Sequence, residues 1–364
     1  MKVVTVFGTR PEAIKMAPVV KELEGRDEVD SIVCVTSQHR SMLDQVLECF
    51  KIKPDYDLNI MRPGQTLSYI TSEVLERIEE VLKKEKPDLV LVHGDTTTAM
   101  AASLASFYQQ IKVGHVEAGL RTYDKASPFP EEINRQIIDR IADYLFAPTE
   151  VSKKNLEHGL NKGQKIIVTG NTAIDALKMT VSENYNHPDL AWVKNNRMIL
   201  LTAHRRENLG EPMREIFKAI KRIVEEFSDV KVIYPVHLNV KVREIAQEVL
   251  NNNERIKLIE PLDVLDFHNF MERAYFIVSD SGGVQEEAPS LGKPVLVVRN
   301  TTERPEGVEA GTLRLVGTEE ENVYREIKKL LNDQTVYDSM AKSKNPYGDG
   351  HASERIVDAI LNLR

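Results

Sequence analysis

Short apolar runs rich in β-branched residues alternate with segments of helical period along nearly all of the 364 residues. The candidate strands of the first half are Val3–Phe7, Ser31–Val35, Leu89–Val92, Lys112–Val116, Tyr144–Ala147 and Ile166–Val168. Consecutive apolar residues leave a strand no solvent face, so such runs belong to parallel sheets covered by helices on both sides. The series then restarts with Met198–Leu201, Val232–Pro235, Ile256–Ile259, Phe276–Ser279, Val295–Val298 and Thr312–Val316. The pattern predicts an α/β fold with two sheets of similar size. The boundary is expected between Gly170 and Arg197, where Asn184-Tyr185-Asn186-His187-Pro188 makes a polar, proline-ended break before Trp192. Residues 1–170 and 171–351 are therefore read as two Rossmann-like domains. The closing segment 352–364 carries Ile356, Ala359, Ile360 and Leu363 at helical spacing, and it is expected to return to the first domain as an amphipathic helix.

A chain of this length buries a core in each of two domains without disulfide or metal staples. Its net charge is −8, and neither residues 1–170 nor the remainder is net positive, which argues against a nucleic-acid partner. No stretch approaches the roughly 18 apolar residues of a membrane span, and the run Val3–Phe7 stops at Gly8-Thr9-Arg10, too short for a signal-peptide core. The expectation is a soluble, cytoplasmic protein with no membrane partner. Cys34 and Cys49 match neither a CxxC pair nor a zinc spacing and read as packing residues in a reducing compartment. No metal-ligand cluster and no nicotinamide fingerprint is visible, so no metal and no cofactor is expected. Trp192, the single tryptophan, reads as a hydrophobic plug beside the linker in preference to a sugar platform.

In open parallel sheets ligands bind beyond the carboxyl ends of the strands, so chemistry is sought there. The first strand leads into Gly8-Thr9-Arg10-Pro11-Glu12, with Lys15 about a turn into the next helix. A glycine turn with two cations at a helix start suits a phosphate, and equally suits a tight turn with solvated charges. Asp95, in His93-Gly94-Asp95-Thr96, and Glu117, in His115-Val116-Glu117, lie one βα unit apart and are expected at the same sheet edge. Asp95 by itself reads as the N-cap of a helix starting near Thr96. Glu117 directly follows an apolar strand and needs a partner, a function or water. Glu131 falls in the first turn of a proline-started helix, with Arg135 four residues on as its natural ion-pair partner.

In the second half, Thr202-Ala203-His204-Arg205-Arg206-Glu207-Asn208 supplies an imidazole and two guanidiniums at a strand end, a phosphate candidate. Asp280-Ser281-Gly282-Gly283-Val284-Gln285-Glu286-Glu287 offers a glycine pair at a helix start, a hydroxyl and a downstream acid. A nucleoside diphosphate fits this set, and a plain Ser-capped helix is the competing reading.

Taken together, Gly8–Lys15, Gln38-His39-Arg40, His93–Thr97, His115–Arg121, Pro130–Arg135, His204–Asn208 and Ser281–Ala288 resemble the non-hydrolysing UDP-N-acetylglucosamine 2-epimerases along nearly the whole chain. The resemblance implies a glycosyltransferase B type fold, two Rossmann-like domains facing across a cleft, and reversible conversion of UDP-GlcNAc to UDP-ManNAc for surface polysaccharide precursors. It implies Asp95, Glu117, Glu131 and His204 as catalytic residues. Substrate and UDP binding would fall to Arg10, Lys15, Arg135, Phe267, Ser281, Gly282, Gly283, Glu287 and Arg304. Bacterial members also bind a second UDP-GlcNAc as activator, for which Gln38, Glu131, Arg205 and His237 match. Ser41 and Gly64 stand where that site has longer polar or basic side chains. A homodimer is implied by the resemblance alone.

The C2 proton of UDP-GlcNAc has no adjacent carbonyl, so elimination of UDP to 2-acetamidoglucal and re-addition after protonation of the other face is the expected route. Asp95 and Glu117 would form the principal pair, with Glu131 sharing or tuning their proton. A hydrolysing epimerase, a glycosyltransferase and a non-catalytic UDP-sugar sensor are the alternatives that fold alone leaves open.

Overall fold

A computed structural model describes residues 1–38, 40–251, 253–302 and 304–362, without the side chain of Ser41; His39 and Leu363 of the sequence reading lie outside the described residues. The chain forms two compact units, Met1–Met179 joined by the segment from Tyr347 onward, and Thr180–Pro346.

The sheet of the first unit contains β1 (Lys2–Phe7), β2 (Asp30–Val35), β3 (Tyr56–Asp57), β4 (Leu89–His93), β5 (Lys112–Val116), β6 (Tyr144–Ala147) and β7 (Lys165–Val168). Their order is β3-β2-β1-β4-β5-β6-β7, and every pairing is parallel. Val3, Val4, Val6, Phe7 and Leu89–Val92 have no exposed surface, as strands covered on both faces require. Only β3 escaped the sequence reading. It is two residues long, has no apolar run, and exists because Tyr56 pairs with Cys34 of β2.

The second unit repeats the plan with β8 (Arg197–Thr202), β9 (Val230–Pro235), β10 (Ile256–Ile259), β11 (Phe276–Ser279), β12 (Val295–Val297) and β13 (Leu313–Leu315), ordered β10-β9-β8-β11-β12-β13 and all parallel. Its longest apolar stripe is on the helix Glu211–Glu226, where Met213, Ile216, Phe217, Ile220 and Ile223 recur every three or four residues and are buried against the sheet. In both sheets the chain winds outward from the first strand in one direction and then restarts on its other side. The reversals fall between β1 and β4 and between β8 and β11, and at such a point the loops leaving the carboxyl ends diverge to opposite faces and open a crevice.

Residues just after Gly170 pack with the first unit. Asn171 N donates to Tyr347 O at 2.7 Å, and the carboxylate of Asp175 accepts from Ala352 N and Ser353 N, at 3.2 and 2.7 Å. Asp175 thereby caps the last helix, Ala352–Leu361, whose own N-cap residue His351 makes no side-chain cap bond. That helix packs on the helix Arg10–Glu24, with Arg26 bonded to Asp358 at 2.9 Å.

Candidate active site

The crevice end of β1 is a turn that only glycine fits. A Cβ on Gly8 would stand 1.9 Å from Thr36 Oγ1. Buried Glu12 then clamps the turn: its Oε2 accepts from Gly8 N and Thr9 N, at 3.0 and 2.8 Å, and its Oε1 accepts from Thr96 Oγ1 of the neighbouring turn at 2.6 Å. Arg10, at the start of the helix, is half-buried and has no side-chain hydrogen bond or ion pair among the described residues. A preformed turn with an unpaired guanidinium at its rim is suited to an anion.

The turn after β4 is fixed from three sides. Gly94 N donates to Val116 O at 2.9 Å, His115 Nε2 lies 2.7 Å from Gly94 O, and Asn134 Nδ2 donates to Asp95 O at 2.9 Å. Thr96, and not Asp95, caps the helix Thr97–Tyr108, its Oγ1 accepting from Ala99 N at 3.0 Å. The carboxylate of Asp95 is thus released from capping and pairs with Arg135. The expected Glu131–Arg135 pair does not form, because Arg135 is nearly buried and turns to Asp95, with Glu132 at 3.7 Å. Glu131, one helical turn before Arg135, is half-buried with no side-chain partner among the described residues. Buried Glu132 takes the structural part, accepting from Thr122 N at 3.0 Å and Gln136 Nε2 at 2.7 Å.

Glu117 has the densest polar surroundings. Its φ of 64° lies in the left-handed region, where a residue with a Cβ is strained. Its Oε2 is paired with Lys15 Nζ, accepts from Asn171 Nδ2 at 3.2 Å, and lies 3.7 Å from His93 Nε2. Burial pushes this carboxyl up, but the ammonium of Lys15 and, after it, His93 outweigh burial and hold it well below the usual carboxylate range. It is a carboxylate at any physiological pH. His93 Nε2 is buried without a hydrogen bond among the described residues. Behind this group, fully buried His115 meets Asp139 through Nδ1 at 2.6 Å, and Asp139 also pairs with Arg121. Gln38 joins the same edge, its Oε1 accepting from Thr98 Oγ1 at 3.0 Å.

In the second unit Thr202 and Ser279, paired across β8 and β11, bond through their hydroxyls at 2.6 Å. Immediately beyond them, Asp280 Oδ2 accepts from His204 N and Arg205 N, both at 2.9 Å, and from Asn208 Nδ2 at 3.0 Å. The His204 ring stacks on His237, centroids 5.3 Å apart and planes 12° apart. Burial first, then His237 and Arg205, lower the affinity of His204 for a proton, and Asp280 opposes them. Arg205 has no side-chain partner among the described residues.

Ser281 stands at the N-cap of the helix Gly282–Glu287 but makes no side-chain cap bond, so the plain Ser-cap reading fails. A Cβ on Gly282 would come 2.8 Å from Cζ of Arg304, which reaches over the turn and bonds Glu286 at 2.8 Å. Glu287 lies 3.6 Å from His268 Nε2, and His268 Nδ1 lies 2.6 Å from Thr180 Oγ1. Phe267 is half-buried beside His268 on the helix Val264–Arg273.

The first unit therefore brings together Lys15 with Glu117 and Asp95 with Arg135, and the second joins His204 to His237 and Gly282 to Arg304. His93, Asn171, Asp280 and His268 were missed as individual residues. Asp280 carried a legible signal, being charged at the very end of an apolar strand, whereas Asn171 is brought to Glu117 only by tertiary structure. Among the described residues no group of three or more His, Cys, Asp or Glu side chains is arranged to hold a metal ion, and no helix is long and apolar enough to cross a membrane.

Residues 21–361 match the family model described as UDP-N-acetylglucosamine 2-epimerase. A Bacillus subtilis protein named UDP-N-acetylglucosamine 2-epimerase is 64% identical over 361 residues, covering 99% of this chain and 95% of that one. The UDP-GlcNAc 2-epimerase of Neisseria meningitidis, solved bound to UDP-GlcNAc, superposes with a TM-score of 0.89 at 50% identity and full coverage of both chains. The Methanocaldococcus jannaschii enzyme, solved with UDP-GlcNAc and UDP, gives 0.80 at 38% identity, again with full coverage of both.

Proposed function

The chain belongs to the UDP-N-acetylglucosamine 2-epimerase family, and from that premise we propose that it interconverts UDP-GlcNAc and UDP-ManNAc through 2-acetamidoglucal. The observation that carries the reading is Glu117, a carboxylate kept charged by Lys15 and His93 on strained backbone at the carboxyl end of β5, one strand from the switch point of the first sheet. A sensor that only bound UDP-sugar would need no such group.

The work is divided between the units. In the second, His204, Arg304 and the Gly282-Gly283 turn bind the diphosphate, Ser281 adds a hydroxyl, Glu287 accepts from the ribose, and Phe267 packs the nucleoside. Arg10 is the phosphate-binding cation of the first unit. In the first unit Asp95, Glu117 and Glu131 handle the sugar. The C1–O bond breaks with its electrons passing to the diphosphate, a carboxylate takes the C2 proton, and the C1–C2 double bond forms. Return of a proton to the opposite face and of UDP to C1 gives the epimer. Glu117 takes the C2 proton in one direction, and Asp95, oriented by Arg135, serves the opposite face. Cations and amides aimed at the leaving oxygen stabilise the departing charge, a preorganised contribution of about 3 kcal/mol for a single donor.

The product would supply surface polysaccharide synthesis from the cytosol. A second UDP-GlcNAc would act as activator at Gln38, Glu131, Arg205 and His237, supported by the stacking of His237 on His204, and a homodimer is the expected assembly.

Incubation with UDP-GlcNAc in D2O tests the reading. Deuterium at C2 of both UDP-sugars is the expected result. Free ManNAc would identify a hydrolysing enzyme, and an unexchanged donor consumed only with an acceptor would identify a transferase.

A further inference from the structure

Asp280 is fully buried, and its two oxygens have unequal surroundings. Oδ2 accepts three hydrogen bonds, from His204 N, Arg205 N and Asn208 Nδ2. Oδ1 is buried with no hydrogen-bond partner among the described residues, and it lies 3.4 Å from His204 Nδ1. Buried carboxylate oxygens seldom go without a donor, and functional contacts are often a few tenths of an ångström long before the ligand arrives. Everything around the imidazole is already fixed. Tyr234 OH donates to Ala203 O at 2.6 Å, the backbone of His204 and Arg205 is tied to Oδ2, and His237 sets the plane of the ring. A slight rotation of the ring closes the remaining gap.

We propose that Asp280 is the positioning residue for His204: Oδ1 accepts from Nδ1–H, which leaves Nε2 facing the diphosphate and free to take up a proton from solvent when that anion binds. The inference rests on the reading of His204 as a diphosphate-binding residue. The charged and titratable groups facing the ring are Asp280 from the end of β11, His237 from the segment after β9, and Arg205 from its own loop. His237 and Arg205, with burial, oppose the imidazolium, and Asp280 favours it. Arrival of a diphosphate adds negative charge beside the ring, and Asp280 makes that charge sufficient to protonate it. A purely structural Asp280 would need only Oδ2.

The test is the 15N spectrum of the histidine-labelled full chain, with His204 identified by its loss in His204→Gln. Wild type is expected to carry its proton on Nδ1 in the free state and to become doubly protonated with UDP. Calorimetry of UDP binding in buffers of different ionisation heat should register the same proton uptake. In Asp280→Asn the amide oxygen still serves the three donors while its NH2 faces Nδ1. The proton should then move to Nε2, uptake should vanish, and turnover should fall about 100-fold, the lower end of acid–base effects, with a smaller change in UDP affinity. A wild-type His204 protonated on Nε2, or an Asp280→Asn chain that keeps the wild-type tautomer and proton uptake, overturns the proposal. Should that variant not fold, the wild-type spectrum and proton uptake still decide. The tautomer and the proton uptake are read without turnover, so loss of the epimerase reading in D2O and loss of this one are separate results.

Discussion

Replacing Lys15 with Met removes one charge and keeps most of the side-chain stem. Lys15 and Glu117 are 14% and 10% exposed, so solvent screens their attraction little. At an effective dielectric of about 20, unit charges about 4 Å apart attract by about 4 kcal/mol. Burial pushes the Glu117 carboxyl upward, Lys15 is the strongest of the groups pulling it down, and His93 and Asn171 remain in the variant. The carboxyl should therefore rise toward its ordinary range. Stability at pH 7 should fall by about 3 kcal/mol, the lower end for breaking a buried pair, because those two partners persist.

The pH dependence has a definite sign. The carboxyl of Glu117 is depressed in the folded chain, so its stabilisation is complete above the unfolded value of about 4.3 and is lost as pH falls through the lower folded value. The gap between wild type and Lys15→Met should be full above about pH 5 and shrink below about pH 4. Urea unfolding across that range measures it, and kcat/KM against pH should lose its acid limb at a higher pH in the variant. Adding Glu117→Gln should restore part of the stability, since an uncharged pair leaves no buried charge alone. Superimposable acid limbs together with equal stability at pH 7 would refute the claim that Lys15 controls this carboxylate.

Asp95→Asn, Glu117→Gln and Glu131→Gln should each lower turnover by about 100-fold or more, read as deuterium exchange at C2; wild-type rates in all three would remove the acid–base assignment. Gly282→Ala would put a methyl 2.8 Å from the Arg304 guanidinium. That flexible tip can move, so UDP affinity should weaken by about tenfold, roughly 1.4 kcal/mol, while the unfolding midpoint stays near wild type; unchanged affinity would detach Arg304 from the diphosphate. Burial pushes the Asp139 carboxyl up, but His115 and Arg121 hold it below its ordinary value. Asp139→Asn should accordingly cost about 3 kcal/mol at pH 7 and progressively less as pH falls below about 4, measured by urea unfolding.

Every strand with an apolar run was legible in the sequence, because burial on both faces imposes that composition whatever the rest of the chain does. The two-residue β3 was not, since its pairing with Cys34 is tertiary and leaves no local pattern. Nor was the attachment of the segment after Gly170 to the first unit, which depends on Asp175 capping a helix that begins at Ala352.

The candidate site divides along the same line. Both sheets restart beside their first strand, so residues directly after β1, β4, β8 and β11 converge in pairs at the two reversals, and a sequence reading that looks at strand ends finds most of them. What it cannot find is who pairs with whom. Spacing of four on a helix pointed Arg135 at Glu131, yet a guanidinium that is almost buried goes to the carboxylate sharing its burial, and that is Asp95. The error changes the chemistry: it leaves Glu131 without a cation among the described residues and gives Asp95 a fixed orientation. Lys15 and Glu117 are as far from local reasoning, belonging to different βα units that the β1–β4 and β4–β5 pairings together bring into reach. Residue types at strand ends announce that acid–base chemistry is available, and the order of strands in the sheet decides which carboxylate is kept charged for it.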